Sequence, residues 1–276
     1  GLWWDSAGSR LLVADTSNQR VRSVTPAGVV STLRRDDGFE AWFALPSAVT
    51  ADAAGNVFVV ETYEHVIGKL GSDGIQTTFA GIRYGPGLVD GAGNVARFRL
   101  PSGIVSGPSG DLWVADCGNH VVRKVSAAGD VTTVAGFWAL EGSLDGIGTA
   151  ARFSCPFAIA RDGAGGFLVA DSTNSNIRRT TTEGVVTTVA GKAREGGNVD
   201  GPGAAARFGR PEGVLVDAEG NAWVADSGSA TLRKVTSGGV VTTIAGRPGY
   251  HGHDDGPPGV GALYKPTRIA MDLEGN

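Results

Sequence analysis

A proline recurs every 55 residues along this chain, and this spacing constrains the fold more than any other feature. The five in-phase prolines are Pro46, Pro101, Pro156, Pro211 and Pro266. Asp-Gly pairs and a phenylalanine recur at the same interval, and an acidic residue ends one apolar run in each repeat, at Asp15, Glu61, Asp116, Asp171 and Asp226. A fixed period of this length is the sequence signature of a repeat architecture whose copies stack on one another.

Each repeat contains four short β-type runs separated by glycine-containing turns. In the third repeat the runs are predicted at 102–107, 112–116, 121–125 and 130–135. The turns between them are of hairpin length, so neighbouring runs should pair as an antiparallel meander. One such sheet cannot bury both of its faces alone. We therefore expect an all-β fold, a β-propeller built from four-stranded antiparallel blades.

Composition agrees with a turn-rich globular protein. Glycine accounts for 44 of 276 residues, and the net charge is -4. An acidic chain is a poor match for nucleic acid, whose binding normally depends on several neutralised phosphates. No apolar run reaches the roughly 18 residues of a membrane span, so no membrane insertion is expected.

The spacing divides residues 1–276, taken as a single domain, into five complete repeats. Blades are predicted at about 1–46, 47–101, 102–156, 157–211 and 212–266, followed by the first strand of a further blade at 267–276. That last strand is in phase with Leu2-Trp3-Trp4. Two interpretations stay open: an incomplete six-bladed ring within a longer protein, which we favour, or a five-bladed ring with a redundant strand.

The connection that links one repeat to the next has its own pattern, Asp-Gly-x-Gly-x-x-Ala-Arg-Phe, as in Asp145–Phe153. We expect a turn, then one helical turn, with the phenylalanine packed between blades. The acidic residue at the end of each second strand should be structural and accept hydrogen bonds from amides of the following turn. The Asp of each Asp-Gly pair is expected to cap a turn or helix.

These motifs resemble NHL repeats. The best copies are Cys117-Gly118-Asn119-His120-Val121-Val122-Arg123-Lys124 and Gly129-Asp130-Val131-Thr132-Thr133-Val134-Ala135-Gly136. The resemblance covers essentially the whole chain and departs from the pattern at Glu61, at Gly68 and in the shortened first connection. It implies an NHL-type β-propeller, commonly six-bladed.

The candidate binding residues lie where the repeat is broken. In a meander, the turn after strand two and the connection after strand four lie at the same end of the strands. In a propeller they therefore share one face of the disc, here called the long-loop face. Exposed aromatics and loops of this kind carry recognition in many proteins. The candidates are Tyr63, His65, Tyr84, His120, Trp138, Tyr250, His251 and His253.

The segment His251-Gly252-His253 has metal-ligand chemistry, because imidazole is a common ligand of first-row metals. Propellers that resemble NHL proteins include lyases and lactonases that hold zinc or calcium, although their sites have no residue-by-residue match here. No cofactor is expected, and a zinc or calcium ion is kept as the alternative. Cys117 and Cys155 both fall on the long-loop face, so a disulfide and two independent thiols both remain open.

The basic pairs Arg123-Lys124, Arg178-Arg179 and Arg233-Lys234 lie on third strands. Alternation along a strand sends the two side chains of each pair to opposite faces. Two hypotheses follow for function. The first is a non-catalytic binding or scaffolding propeller that recognises a protein partner through the long-loop face, in an extracellular or cell-surface setting. The second is a metal-dependent lyase or hydrolase with a site at the central channel.

Overall fold

The computed structural model describes residues 1–272, and their regular structure is all β. Five antiparallel sheets follow one another along the chain as the blades of a β-propeller. Short 3-10 turns are the helical elements of the described part, at Thr62–Glu64, Cys117–Asn119, Gly148–Ala150, Ser172–Asn174 and Gly203–Ala205. None of its helices has the length and apolar character that crossing a bilayer requires.

The first three blades are four-stranded meanders. Their strands are Leu2–Asp5 (β1), Arg10–Asp15 (β2), Arg20–Val24 (β3), Val30–Thr32 (β4), Pro46–Ala51 (β5), Val57–Glu61 (β6), Val66–Leu70 (β7), Gln76–Gly81 (β8), Pro101–Ser106 (β9), Leu112–Asp116 (β10), Val121–Val125 (β11) and Val131–Gly136 (β12). The third blade matches its predicted strands to within one residue at each boundary.

Blades 4 and 5 each carry an additional two-residue strand on their outer edge, contributed by the incoming connection. Their strands are Gly146–Ile147 (β13), Pro156–Arg161 (β14), Phe167–Asp171 (β15), Asn176–Thr180 (β16), Val185–Ala190 (β17), Gly201–Pro202 (β18), Pro211–Val216 (β19), Ala222–Asp226 (β20), Thr231–Val235 (β21) and Val240–Ala245 (β22). The connection therefore pairs with the edge of the sheet that it leads into, which protects an otherwise exposed strand edge.

Four of the recurring prolines begin the first strand of a blade, a position where the missing N–H costs no ladder hydrogen bond. Pro156, for example, is the first residue of β14 and lies opposite Asp171 at the end of β15. The repeat period thus fixes the register between the first two strands. The fifth proline behaves differently. Residues 267–272 do not form the predicted first strand of a further blade, because no described strand pairs with them, and residues 273–276 of that prediction lie outside the described part.

The chain divides into two compact units, with Gly1–Thr133 as the main segment of the first and Val134–Met271 as that of the second. In the first unit, one apolar core joins blades 1 and 2, and a second joins blades 2 and 3. In the second unit, a core joins blades 4 and 5. That all 276 residues form a single domain stays a prediction.

The phenylalanines of the connections are buried as predicted, and Phe98 and Phe208 belong to the cores described above. Phe98, Phe153 and Phe208 are completely buried. Phe43 occupies the same role in the shortened first connection and is also completely buried, although the sequence pattern did not single it out. Large apolar side chains of this kind bury the surface that drives blade packing.

Candidate functional site

A buried ion pair recurs in blades 3, 4 and 5 and explains the acidic residue at the end of the second strand in each of these three blades. In blade 4, Arg178 Nη1 donates to Asp171 Oδ2 over 3.1 Å, and both side chains have no exposed surface. Arg178 also lies over the ring of Phe153, 5.2 Å from its centroid. Blades 3 and 5 repeat this arrangement at Arg123 and Arg233.

The Asp of the Asp-Gly pair that precedes each of these three blades holds the same arginine from the other side. Asp145 Oδ1 accepts from Arg178 Nη2 over 2.7 Å, and it also accepts from the hydroxyl of Thr188 over 3.0 Å. The expectation that these residues cap a turn or helix was wrong for Asp90, Asp145 and Asp200. Their carboxylates instead tie the connection to the third and fourth strands of the blade that follows.

The acid at the end of strand two is structural, as expected, but its amide partner differs. Asp171 accepts from the backbone N–H of Ser154, in the incoming connection, over 2.8 Å rather than from the following turn. Burial raises the pKa of Asp116 to about 6 and that of Asp171 to about 7, against the opposing effects of the paired arginine and of a neighbouring asparagine. Since these groups are enclosed by protein, they are not accessible to a ligand.

The basic pairs on the third strands do point to opposite faces. Arg178 is buried, whereas Arg179 is partly exposed and pairs with Asp162 at 2.6 Å. Lys124 and Lys234 likewise lie near carboxylates on the outer side, 3.3 Å from Asp111 and 3.9 Å from Asp217. These recurring basic side chains therefore pair with carboxylates of the protein itself.

Blade 2 breaks this pattern, and the break organises a surface site. Glu61 replaces the aspartate and is completely buried, while Gly68 stands where the other blades have arginine. A Cβ at Gly68 would lie 2.6 Å from Glu61 Oε1 and 3.1 Å from the ring of Phe43. The longer acidic side chain thus fills the space that an arginine occupies elsewhere.

The guanidinium that neutralises Glu61 comes from the outgoing connection. Arg83 donates from Nη2 to Glu61 Oε1 over 2.9 Å and from Nη1 to Oε2 over 3.1 Å. Its Nη1 also lies 3.6 Å from Glu64 Oε2. Partial burial lowers the pKa of Arg83, but pairing with these two carboxylates outweighs that effect and raises it overall. Bidentate pairing of this kind is strong and directional.

Two tyrosines flank this ion pair and point into solvent. Tyr63 lies in the 3-10 turn Thr62–Glu64 and is 66% exposed, and Tyr84 follows Arg83 and is 76% exposed. Interaction with the Glu64 carboxylate raises the pKa of the Tyr84 hydroxyl. We call Tyr63, Glu64, His65, Arg83 and Tyr84 the blade-2 tyrosine site.

His65 anchors the site to the next connection. It adopts a left-handed backbone conformation with φ of 62°, and its Nδ1 accepts a hydrogen bond from the backbone N–H of Leu100 over 3.1 Å. That bond requires an unprotonated Nδ1. Burial lowers the pKa of His65, and the positive charge of Arg99 acts in the same direction, with Glu64 opposing both.

The second turn of a blade and its outgoing connection do lie together, as the meander topology predicts. In blade 2, the N–H of Tyr84 donates to the carbonyl of Glu64 over 3.1 Å. In blade 4 the corresponding bond runs from Arg194 to Asn174, over 3.0 Å. The sequence-predicted candidates Tyr63, His65 and Tyr84 are therefore brought together in the first unit. His120, in the second turn of blade 3, has a left-handed φ of 58°.

The remaining candidates lie in the second unit. Trp138 is exposed in the connection before blade 4, and Tyr250 packs against the Arg247 guanidinium, 5.0 Å from its ring centroid. His251 and His253 both lie beside the exposed Tyr264, at ring separations of 6.0 and 5.7 Å. Across residues 1–272 there is no group of three or more His, Cys, Asp or Glu side chains placed to hold a metal ion. Neither Cys117 nor Cys155 is a free thiol. Their pairing stays a prediction that the intact mass under non-reducing conditions would test.

Sequence reasoning missed Arg83, Glu64 and Tyr264. The simultaneous departures at Glu61 and Gly68 carried a usable signal, because a longer acid next to a missing arginine implies that another cation is needed. No sequence signal pointed to Tyr264, because its contact with His251 and His253 depends on how the connection after blade 5 folds back.

Comparison with known proteins agrees with this architecture. Residues 98–125 match the family model described as NHL repeat, which covers β9 to β11 together with the end of the preceding connection. No curated protein matches the chain significantly.

Solved structures share the fold over nearly the whole chain. An auxiliary nutrient binding protein from Bacteroides thetaiotaomicron superposes with a TM-score of 0.74 at 16% identity, over 99% of this chain and 64% of its own. Virginiamycin B lyase from Staphylococcus aureus gives 0.61 at 16% identity, over 88% and 68%. A gluconolactonase from Xanthomonas campestris gives 0.66 at 16% identity, over 100% and 80%. The chain thus spans less than two thirds of the length of the first of these proteins, and at such identities the likeness establishes the fold alone.

Proposed function

We propose that this NHL-repeat β-propeller is a non-catalytic binding module that recognises a protein partner through the blade-2 tyrosine site. One observation carries the proposal. The ion pair that is sealed inside blades 3 to 5 is rebuilt in blade 2 with a partly exposed arginine, Arg83, and two tyrosines stand exposed beside it. Tyrosine and arginine are enriched among the residues that dominate protein binding energies.

The site is ordered before any partner arrives. Arg83 is fixed by two hydrogen bonds to the buried Glu61, and the Tyr84 backbone is held by its bond to Glu64. Ordering interface side chains costs about 0.5–1.5 kcal/mol each on association, so groups that are already held reduce that cost. Tyr63 and Tyr84 add broad contact surfaces with few rotatable bonds, which suits recognition of a folded surface.

The related structures are compatible with a binding function but do not distinguish it from an enzymatic one. One structural neighbour is named as a nutrient binding protein and two as enzymes, and a propeller can host either role. An extracellular or cell-surface setting is part of the proposal. It is supported by the absence of free thiols at Cys117 and Cys155, since disulfides persist mainly in oxidising compartments.

The test compares partner capture by matched tyrosine variants. Immobilised wild-type protein, the double variant Tyr63→Ala/Tyr84→Ala and the control Tyr264→Ala are exposed to medium and extract from the source cells, and bound proteins are quantified by mass spectrometry. Tyr264 is a suitable control because it is also exposed but lies in the second unit. We expect a protein that binds wild type and the control but is lost from the double variant. Equal capture of every bound protein by all three would refute the proposal.

Once such a protein is purified, its affinity provides the quantitative check. Loss of the two tyrosines should weaken binding at least tenfold, the effect of removing about 1.4 kcal/mol from an interface hot spot. Thermal unfolding of the double variant at the wild-type temperature would show that the fold is intact.

A further inference from the structure

A cavity opens between blades 1 and 2 of the first unit. It has a volume of about 370 Å³ and lies beside the short turns that join strands one to two and three to four. Its lining shares no residue with the blade-2 tyrosine site. A few hundred cubic ångströms is the usual scale of a small-molecule pocket.

The charged residues that line this cavity are both cationic. Arg10 reaches it from β2, and Arg34 reaches it from the loop after β4, while no carboxylate is part of the lining. Arg10 Nε donates to the buried Asp5 over 2.9 Å, which leaves its two terminal nitrogens outside that pair. Arg34 Nη1 donates to the carbonyl of Gly38 over 2.8 Å. A guanidinium has five N–H donors, so both arginines retain donors for an anion.

Carboxylates on the adjoining turns are used locally. Asp73 Oδ1 accepts from the N–H of Ile75 over 3.0 Å, and Asp52 Oδ1 accepts from the N–H of Asn56 over 2.9 Å. These bonds hold the turns in shape and direct the acidic groups to their own backbones. The part of these turns that lines the cavity consists instead of the hydroxyl residue Ser72 and of glycines such as Gly74.

The floor of the cavity is apolar. Leu33, Val57 and Leu70 line it, and all three belong to the core between blades 1 and 2. An inorganic ion would contact only the polar rim. A ligand with both a short apolar body and an anionic group matches the floor and the rim together, because apolar contact and guanidinium hydrogen bonds are then both satisfied.

We propose that this cavity binds a small organic anion, a carboxylate or a phosphate monoester, through Arg10 and Arg34 with its apolar part on Leu33, Val57 and Leu70. Ser72, which also lines the cavity, supplies a hydroxyl. None of these residues belongs to the blade-2 tyrosine site.

Isothermal titration with three probes tests this site. Benzoate represents the carboxylates, phenyl phosphate the phosphate monoesters, and inorganic phosphate an anion without an apolar body. We expect one of the two aromatic probes to bind at least tenfold more tightly than inorganic phosphate, and the better of them identifies the anionic group. Binding should weaken as salt is raised, because exposed charges are screened.

Two variants locate the bound anion. Arg34→Gln should weaken the better probe at least about tenfold, the effect of losing one charge-assisted hydrogen bond. Ser72→Asp should weaken it as well by placing a like charge in the cavity. The matched control is Arg35→Gln, since Arg35 is the next residue and lies outside the lining. Because Arg34 is exposed and bonds to one carbonyl, its removal should leave the unfolding temperature unchanged.

The proposal is overturned if no probe binds more tightly than about 10 mM at low salt. It is also overturned if Arg34→Gln and Arg35→Gln bind the better probe equally, or if inorganic phosphate binds as tightly as both aromatic probes.

Discussion

Arg178 and Asp171 form a salt bridge of 3.1 Å in which neither side chain has any exposed surface. Removing one member of a fully buried pair leaves a charge without a partner, which typically costs about 3–5 kcal/mol. We therefore expect Arg178→Met to lower the free energy of unfolding by that amount in urea denaturation. The control is Arg179→Ala, one residue along the same strand, whose partly exposed ion pair should contribute only about 1 kcal/mol. Similar losses from both variants would contradict this account of the repeat.

Glu61 and Gly68 stand where blades 3 to 5 have aspartate and arginine. We predict that restoring both residue types has a coupled effect on stability. Gly68→Arg alone should be strongly destabilising, because even a Cβ there would crowd Glu61 and Phe43. Combining it with Glu61→Asp restores the residue types of blades 3 to 5 and shortens the acid. The double variant should be more stable than the sum of the single effects, with a coupling of about 1–3 kcal/mol. Additive effects in a double-mutant cycle would show that the two positions do not compensate one another.

His65 should make the stability of the fold depend on pH. Its pKa is lowered in the folded protein, so the unfolded chain takes up a proton first, below about pH 6.5. The unfolded state then binds more protons, and the contribution of His65 to stability is lost as the pH falls below that value.

The measurement compares unfolding free energies of wild type and His65→Asn between about pH 7.5 and pH 5, the range in which a histidine titrates. The advantage of wild type should shrink as the pH falls. The other three histidines are present in both proteins, so their effects cancel. A difference that stays constant across the range would contradict the prediction.

The buried phenylalanines of the connections should dominate blade packing. Phe208 is completely buried in the core between blades 4 and 5, so Phe208→Ala should cost about 3–5 kcal/mol of unfolding free energy. Phe39→Ala provides the matched control, because Phe39 is 70% exposed and its loss should change stability by no more than about 0.5 kcal/mol. Comparable losses measured for both variants would show that burial does not decide the contribution.

The strand pattern was readable because its signals are local. Alternating apolar residues and hairpin-length turns located β10 and β11 at Leu112–Asp116 and Val121–Val125, as the structure has them. The period placed Phe98 and its equivalents in the core for the same reason. Side-chain contacts between distant segments could not be predicted. The hydrogen bond from Arg178 to Asp145 joins residues 33 apart, and the sequence around either residue does not identify its partner.

The candidate site divides in the same way. Tyr63, His65 and Tyr84 could be assigned to one edge of blade 2, since meander topology alone places the second turn beside the outgoing connection. The role of Arg83 could not, because the outgoing connection has to fold back before its guanidinium reaches Glu61. The failure of residues 267–272 to form a strand has a related cause, since a strand exists only through its pairing.

Periodicity, turn chemistry and residue type were therefore enough to predict an all-β repeat fold, most of its strands and the buried phenylalanines. These features depend on interactions within a few residues, which the order of amino acids records directly. Tertiary packing decided which acid meets which arginine, which tyrosines stay in solvent, and that Arg10 and Arg34 face one cavity. Such contacts arise from side chains far apart in the chain, and their geometry exists only once the blades have packed.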